Sequence, residues 1–103
     1  MMNSRIRNII ESNLNGYTLE KIILFGSRAN GSYDSDSDYD VLVIIKEEPD
    51  WITRENLCSE IRKIMAREDI NIDLLVRSSS YVETIQYEQG NVINTAIEEG
   101  IEM

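Results

Sequence analysis

The stretch Lys21 to Ile45, KIILFGSRANGSYDSDSDYDVLVII, decides how this chain folds. Two apolar runs flank a polar loop. The first, Ile22 to Phe25, ends abruptly at Gly26-Ser27; the second opens with Asp38 and Asp40 and turns wholly apolar from Val41 to Ile45. Each run has the length and β-branched content of a buried strand.

If the chain is extended from Asp38 onwards, alternate side chains share a face, so Asp38 and Asp40 point the same way with α-carbons roughly 6.6 Å apart. Two carboxylates side by side repel one another at neutral pH, and a divalent cation makes such a pair favourable. Gly26-Ser27 stands where a chain leaves a sheet and enters a short helix, offering backbone N–H groups and a hydroxyl to an anion. Phosphate held at one end and metal carboxylates at the other describe a nucleoside triphosphate site.

Outward from this stretch, Ile6, Ile9, Ile10 and Leu14 recur at helical spacing between Asn3 and Leu14, with Gly16 as a stop. Strand one is expected at Lys21 to Phe25, followed by a loop, Gly26 to Ser37, with at most a helical turn. Strand two ends near Lys46, where Glu47-Glu48-Pro49-Asp50 breaks the pattern and Asp50 or Thr53 caps the next helix. That helix buries Leu57, Ile61, Ile64 and Met65. Strand three is expected at Ile70 to Val76. Ser80-Tyr81-Val82-Glu83 reads as a capping box, Gly90 as a break, and Asn91 as the start of a last helix that stops at Gly100. The fold class is α/β (α+β), a small mixed three-stranded sheet packed with helices, in one domain spanning residues 1–103.

The connections set the expected topology. A helical crossover between strands two and three favours a parallel pair, which places Asp38, Asp40 and Asp73 on one edge. The shorter loop between strands one and two favours an antiparallel pair, bringing Gly26-Ser27 to that same edge. Two other readings fail on particular residues. Gly26 and Gly31 have P-loop spacing, but Ser32 and Tyr33 stand where lysine and Ser/Thr are needed. Asp36, Asp38, Asp40 and Glu47 match calcium-loop positions, but Val41 occupies the position that requires glycine. Asp34 and Asp36 are read as turn residues and Tyr39, on the opposite face from the acids, as packing. Arg28 either touches substrate phosphate or forms a surface ion pair with a nearby acid.

A chain of 103 residues buries roughly 60 to 65% of its unfolded surface and holds one core. Hydrophobic residues at 42% and charged residues at 28% are ordinary for a globular protein, which argues against disorder. Ten basic against 19 acidic residues give a net charge of -9, which opposes extended nucleic-acid binding and suits metal ions or a basic partner. The longest apolar run, Val41 to Ile45, is too short to span a bilayer, and the N-terminus lacks an apolar signal region, so a cytoplasmic location is expected. Cys58 is the only cysteine and the chain has no histidine to activate it, so it is read as a core residue.

Gly26-Ser27-Arg28-Ala29, then Ser37-Asp38-Tyr39-Asp40-Val41-Leu42-Val43, resembles the signature of the polymerase-β-type nucleotidyltransferases: Gly-Ser, a spacer, then Asp-x-Asp opening a strand. More narrowly the chain is similar to the minimal nucleotidyltransferases, kin to the kanamycin nucleotidyltransferase group, over nearly its whole length. The resemblance implies Asp73, in Asn71-Ile72-Asp73-Leu74-Leu75-Val76, as the third acid. It implies transfer of AMP from ATP to a hydroxyl, with two magnesium ions held by Asp38, Asp40 and Asp73, and the nucleotide held by Gly26, Ser27 and Arg28. Asn30 departs from the family, which often has a basic residue there, so an extra phosphate contact is not expected. Minimal nucleotidyltransferases often act as antitoxins that AMPylate a tyrosine of a HEPN-domain ribonuclease toxin. A non-catalytic antitoxin and an enzyme acting on a small molecule such as an aminoglycoside are the alternatives.

Overall fold

The computed structural model describes residues 1–103. In chain order the elements are α1 (Met2–Ser12), β1 (Leu19–Phe25), α2 (Ser27–Asn30), β2 (Tyr39–Ile45), α3 (Trp51–Arg67), β3 (Ile72–Ser78), α4 (Ser79–Ile85), α5 (Val92–Glu99) and β4 (Ile101–Glu102). The strands lie in the order β3-β2-β1-β4. β2 pairs antiparallel with β1 and parallel with β3, as the loop lengths require.

The apolar run Val41 to Ile45 is buried on both faces because β2 lies inside the sheet and helices cover both sides. Val41, Val43 and Ile45 meet Ile22, Leu24, Leu74 and Val76 under α1 and α3, which contribute Ile6, Ile10, Leu57, Ile61 and Met65. On the other face Leu42 and Ile44 meet Ile23 under Ile85 of α4 and Ile93 and Ala96 of α5. Ile10, Ile61 and Met65 are fully buried, so truncating any of them to alanine costs about 2–5 kcal/mol.

Four expectations are corrected. The sheet has four strands, not three, because Ile101–Glu102 pairs with Leu24 and Ile23 on the outer edge of β1. A two-residue strand has no periodicity to read. Gly100 permits it, since a Cβ there would run into the side chain of Ile23 and the carbonyl of Leu24. β3 runs from Ile72 to Ser78 rather than from Ile70 to Val76, and it passes straight into α4. The cap of α4 is therefore Ser78, whose Oγ accepts from Tyr81 N–H at 3.1 Å, and not Ser80. Finally, β2 begins at Tyr39, so Asp38 precedes the strand that it was expected to open. The cap of α3 is Asp50, which accepts from Thr53 N–H at 2.7 Å and from Thr53 Oγ1 at 3.0 Å.

The hairpin of β1 and β2 is fixed at the end away from Gly26 by Glu47. Its carboxylate accepts from the N–H and the hydroxyl of Thr18, each at 2.7 Å. These bonds hold the Glu47 carboxyl below its usual range, and they put this residue at the opposite end of β2 from Asp40, far from any calcium-loop role.

Candidate active site

The register of the central strand builds the site. Asp40 lies opposite Phe25 on one side and opposite Asp73 on the other, with neighbouring strands about 4.8 Å apart. Alternation puts Asp40 on the face of Leu42, and Asp73 on the face of Leu75, which packs against the same cluster. The two acids therefore stand side by side at the rim of the layer covered by α4 and α5.

Gly26 closes the site from the β1 side. Its φ of 70° and ψ of -153° belong to a region open essentially to glycine alone. A Cβ at this position would overlap Oδ2 of Asp40, so the carboxylate rests against bare backbone. The turn that follows is α2, in which the Gly26 carbonyl accepts from the N–H groups of Ala29 and Asn30, both at 3.1 Å. The N–H groups of Ser27 and Arg28, at the start of the helix, have no acceptor within it, and they leave the sheet beside Asp40. Asn30 turns back on its own loop, its Oδ1 accepting from Ser32 N–H at 3.0 Å and from Ser32 Oγ at 2.6 Å.

The electrostatics follow from that crowding. Burial, then Asp73, then Asp38 push the Asp40 carboxyl above its ordinary value. None of the three salt bridges in the chain reaches these acids: they join Arg5 to Glu68, Arg7 to Glu11 and Lys63 to Glu60. A set of hard carboxylate oxygens with no histidine or thiol fits magnesium by its donor chemistry. In the geometry at hand no three acidic side chains are gathered tightly enough to close on one ion. Asp40 and Asp73 are brought together in register; Asp38 acts on Asp40 from the exposed chain just before β2.

Arg28 makes none of the chain's salt bridges, so the surface ion pair open to it from sequence does not form. Its Nε and Nη2 donate to the carbonyl of Ser37 at 3.3 and 3.0 Å. Its guanidinium lies over the rings of Tyr33 and Tyr39, 4.5 and 4.3 Å from the centroids. Tyr39 packs on the α1 and α3 side of the sheet, as expected of it. Tyr33 is the partner that sequence reasoning missed; the signal was an aromatic residue on each side of the acidic turn, within reach of one arginine. Asp34 organises that turn, its Oδ1 accepting from Asp36 N–H at 2.9 Å, in keeping with a turn role for both residues.

Residues 5–99 match the protein family described as polymerase beta, nucleotidyltransferase. Two proteins of Methanocaldococcus jannaschii, provisionally named protein adenylyltransferases, are similar in sequence. MJ0141 is 40% identical over 68 residues, 66% of this chain and 65% of its own length. MJ0604 is 34% identical over 71 residues, 69% of this chain and 65% of its own length. The similarity thus spans just under two thirds of either relative. Among solved structures, a toxin–antitoxin structure with AMP-PNP aligns with a TM-score of 0.64 at 22% identity, covering 99% of this chain and 72% of that one. A Sulfolobus solfataricus structure, provisionally assigned as a nucleotidyltransferase, gives 0.58 at 26% identity, covering 80% and 68%. The Shewanella oneidensis complex of a tri-AMPylated HEPN toxin with an MNT antitoxin gives 0.52 at 20% identity, covering 96% and 66%. The likeness to these structures is one of overall fold. The Gly-Ser turn against the first strand, the acid pair on the next two and the match over residues 5–99 lead to one conclusion: this chain belongs to the polymerase beta nucleotidyltransferase family.

Proposed function

We propose that this protein transfers AMP from ATP to a hydroxyl group, and that the acceptor is a tyrosine of a HEPN-domain toxin for which it serves as antitoxin. The observation that carries the reading is the pairing of Asp40 with Asp73 across β2 and β3, with the Asp40 carboxylate resting against Gly26. Nucleotidyl transfer asks a protein chiefly for in-line positioning and charge neutralisation. In this reading Ser27 and the free N–H groups of α2 orient the triphosphate. Asp38, Asp40 and Asp73 would hold magnesium, which supplies neutralisation of the phosphates and of departing pyrophosphate. Asp73, on the strand farthest from the Gly-Ser turn, accepts the proton of the attacking hydroxyl. Support for the partner comes from the complexes of similar fold that contain AMP-PNP in one case and an AMPylated HEPN toxin in the other, and from the net charge of -9, which suits a basic ribonuclease.

Intact-mass measurement tests the reading. The protein is mixed with ATP, magnesium and the product of the neighbouring gene. The parent should add AMP units to the partner. Asp73→Asn should bind magnesium-ATP nearly as well but add AMP at least about a hundredfold more slowly. A parent that adds no mass yet silences the toxin as well as the variant does would make it a binding antitoxin and overturn the catalytic reading.

A further inference from the structure

Asp38 is the acid that no strand holds. β2 takes up the chain only at Tyr39, whose N–H donates to the Asn71 carbonyl at 2.9 Å, and Asp38 itself is exposed. Its position is set by its two neighbours. Both of them are gripped by Arg28, which donates twice to the carbonyl of Ser37 and lies over the ring of Tyr39. The loop on the far side is already a unit: Ser37 N–H donates to the Asp34 carbonyl at 3.2 Å, and Asp34 N–H donates to Ser37 Oγ at 3.1 Å. Tyr33, whose ring also lies against the guanidinium, ties the start of that unit to the same side chain.

We infer that Arg28 is a positioning residue whose side chain fixes Asp38 for metal binding, and that the guanidinium does so without touching the nucleotide. This rests on the nucleotidyltransferase reading above. Arg28 stands one residue after Ser27, so a single side chain links the phosphate end of the site to its acidic end. A forked, planar cation is needed for this task. The carbonyl takes two N–H donors from one edge of the guanidinium while the flat of the group remains free for stacking on the rings. Lysine keeps the charge but loses the fork and most of the stacking.

The test measures magnesium-dependent ATP binding by calorimetry in Arg28→Met, Arg28→Lys, Asp38→Asn and the double variant Arg28→Met/Asp38→Asn, with thermal melts as a check on folding. Arg28→Met should raise the magnesium concentration needed for half-maximal ATP binding about tenfold, an interaction of the size seen between residues in contact. Arg28→Lys should fall with it, because charge alone does not restore the grip. In the Asp38→Asn background the Met substitution should change nothing further, since its effect runs through Asp38. ATP binding without metal should be the same in parent and Arg28→Met. Independent losses in the double variant, rescue by lysine, or a loss of metal-free ATP binding would each make Arg28 a phosphate contact and overturn the inference. If Asp38→Asn binds magnesium-ATP like the parent, the assignment of Asp38 itself fails, and the role of Arg28 fails with it. If Asp38→Asn is impaired while Arg28→Met is not, only the link through Arg28 is wrong.

Discussion

Replacing Gly26 by alanine tests the site where backbone and chemistry meet. The residue sits at φ 70° and ψ -153°, and a side chain forced into that region costs about 1–3 kcal/mol. The new Cβ would also overlap Asp40 Oδ2. Turning that carboxylate out of its rotamer adds about 0.5–1.5 kcal/mol. At roughly 4–8 °C per kcal/mol for a domain near 100 residues, the smaller estimates alone lower the melting temperature by about 6 °C or more. Magnesium-dependent ATP binding should fall further than stability does, because the displaced group is the central acid. The comparison that isolates the contact is the same substitution made in an Asp40→Ala background, where only the backbone cost remains. Urea melts of the four proteins give the coupling directly. An equal cost in both backgrounds would show that Gly26 and Asp40 do not touch, and a Gly26→Ala protein melting like the parent would show that the turn is not strained for alanine.

Asp40→Asn should remove most magnesium-dependent ATP binding while making the metal-free protein more stable near neutral pH. Burial and the neighbouring Asp73 and Asp38 raise the Asp40 carboxyl above 3.8, so the folded state holds that proton more tightly than the unfolded one. Ionisation therefore opposes folding above the raised value, and the opposition is gone below the ordinary one. The advantage of the asparagine variant should be full at neutral pH and vanish in melts taken below pH 3.8; a variant less stable than the parent at neutral pH would contradict this. Ser27→Ala should weaken ATP binding tenfold to a hundredfold with AMP barely affected, since a hydrogen bond to a charged group contributes about 1.5–3 kcal/mol. Equal losses for both nucleotides would place the hydroxyl away from the β- and γ-phosphates.

The central hairpin was legible because two apolar runs of strand length bracket a turn that only glycine can make, and loop length alone then fixed the direction of each pairing. That topology put Asp40 and Asp73 on one edge, while the register that sets them directly opposite one another is a finding of the structure. Other features were hidden for physical reasons. β4 exists through its pairing with β1 rather than through its own two residues. The α4 cap moved because Ser78, Ser79 and Ser80 are all good capping residues, and only the length of β3 decides among them. Asp38 looked like a strand residue because alternation continues through it, whereas hydrogen bonding starts one residue later. Arg28 kept two readings open because the partners it has within the chain, a carbonyl and two aromatic faces, carry no charge for a sequence argument to detect.

The acid at the middle of the site belongs to the strand that is covered on both faces and paired on both edges. Segments of this kind exchange their amide hydrogens only when the whole domain opens. A ligand that grips Asp40 therefore cannot be released by a local opening of this strand, and its binding free energy appears as resistance to global unfolding, growing as RT ln(1 + [L]/Kd). Saturating magnesium-ATP would protect Leu42 and Val43, deep in the core, as strongly as the residues that it touches.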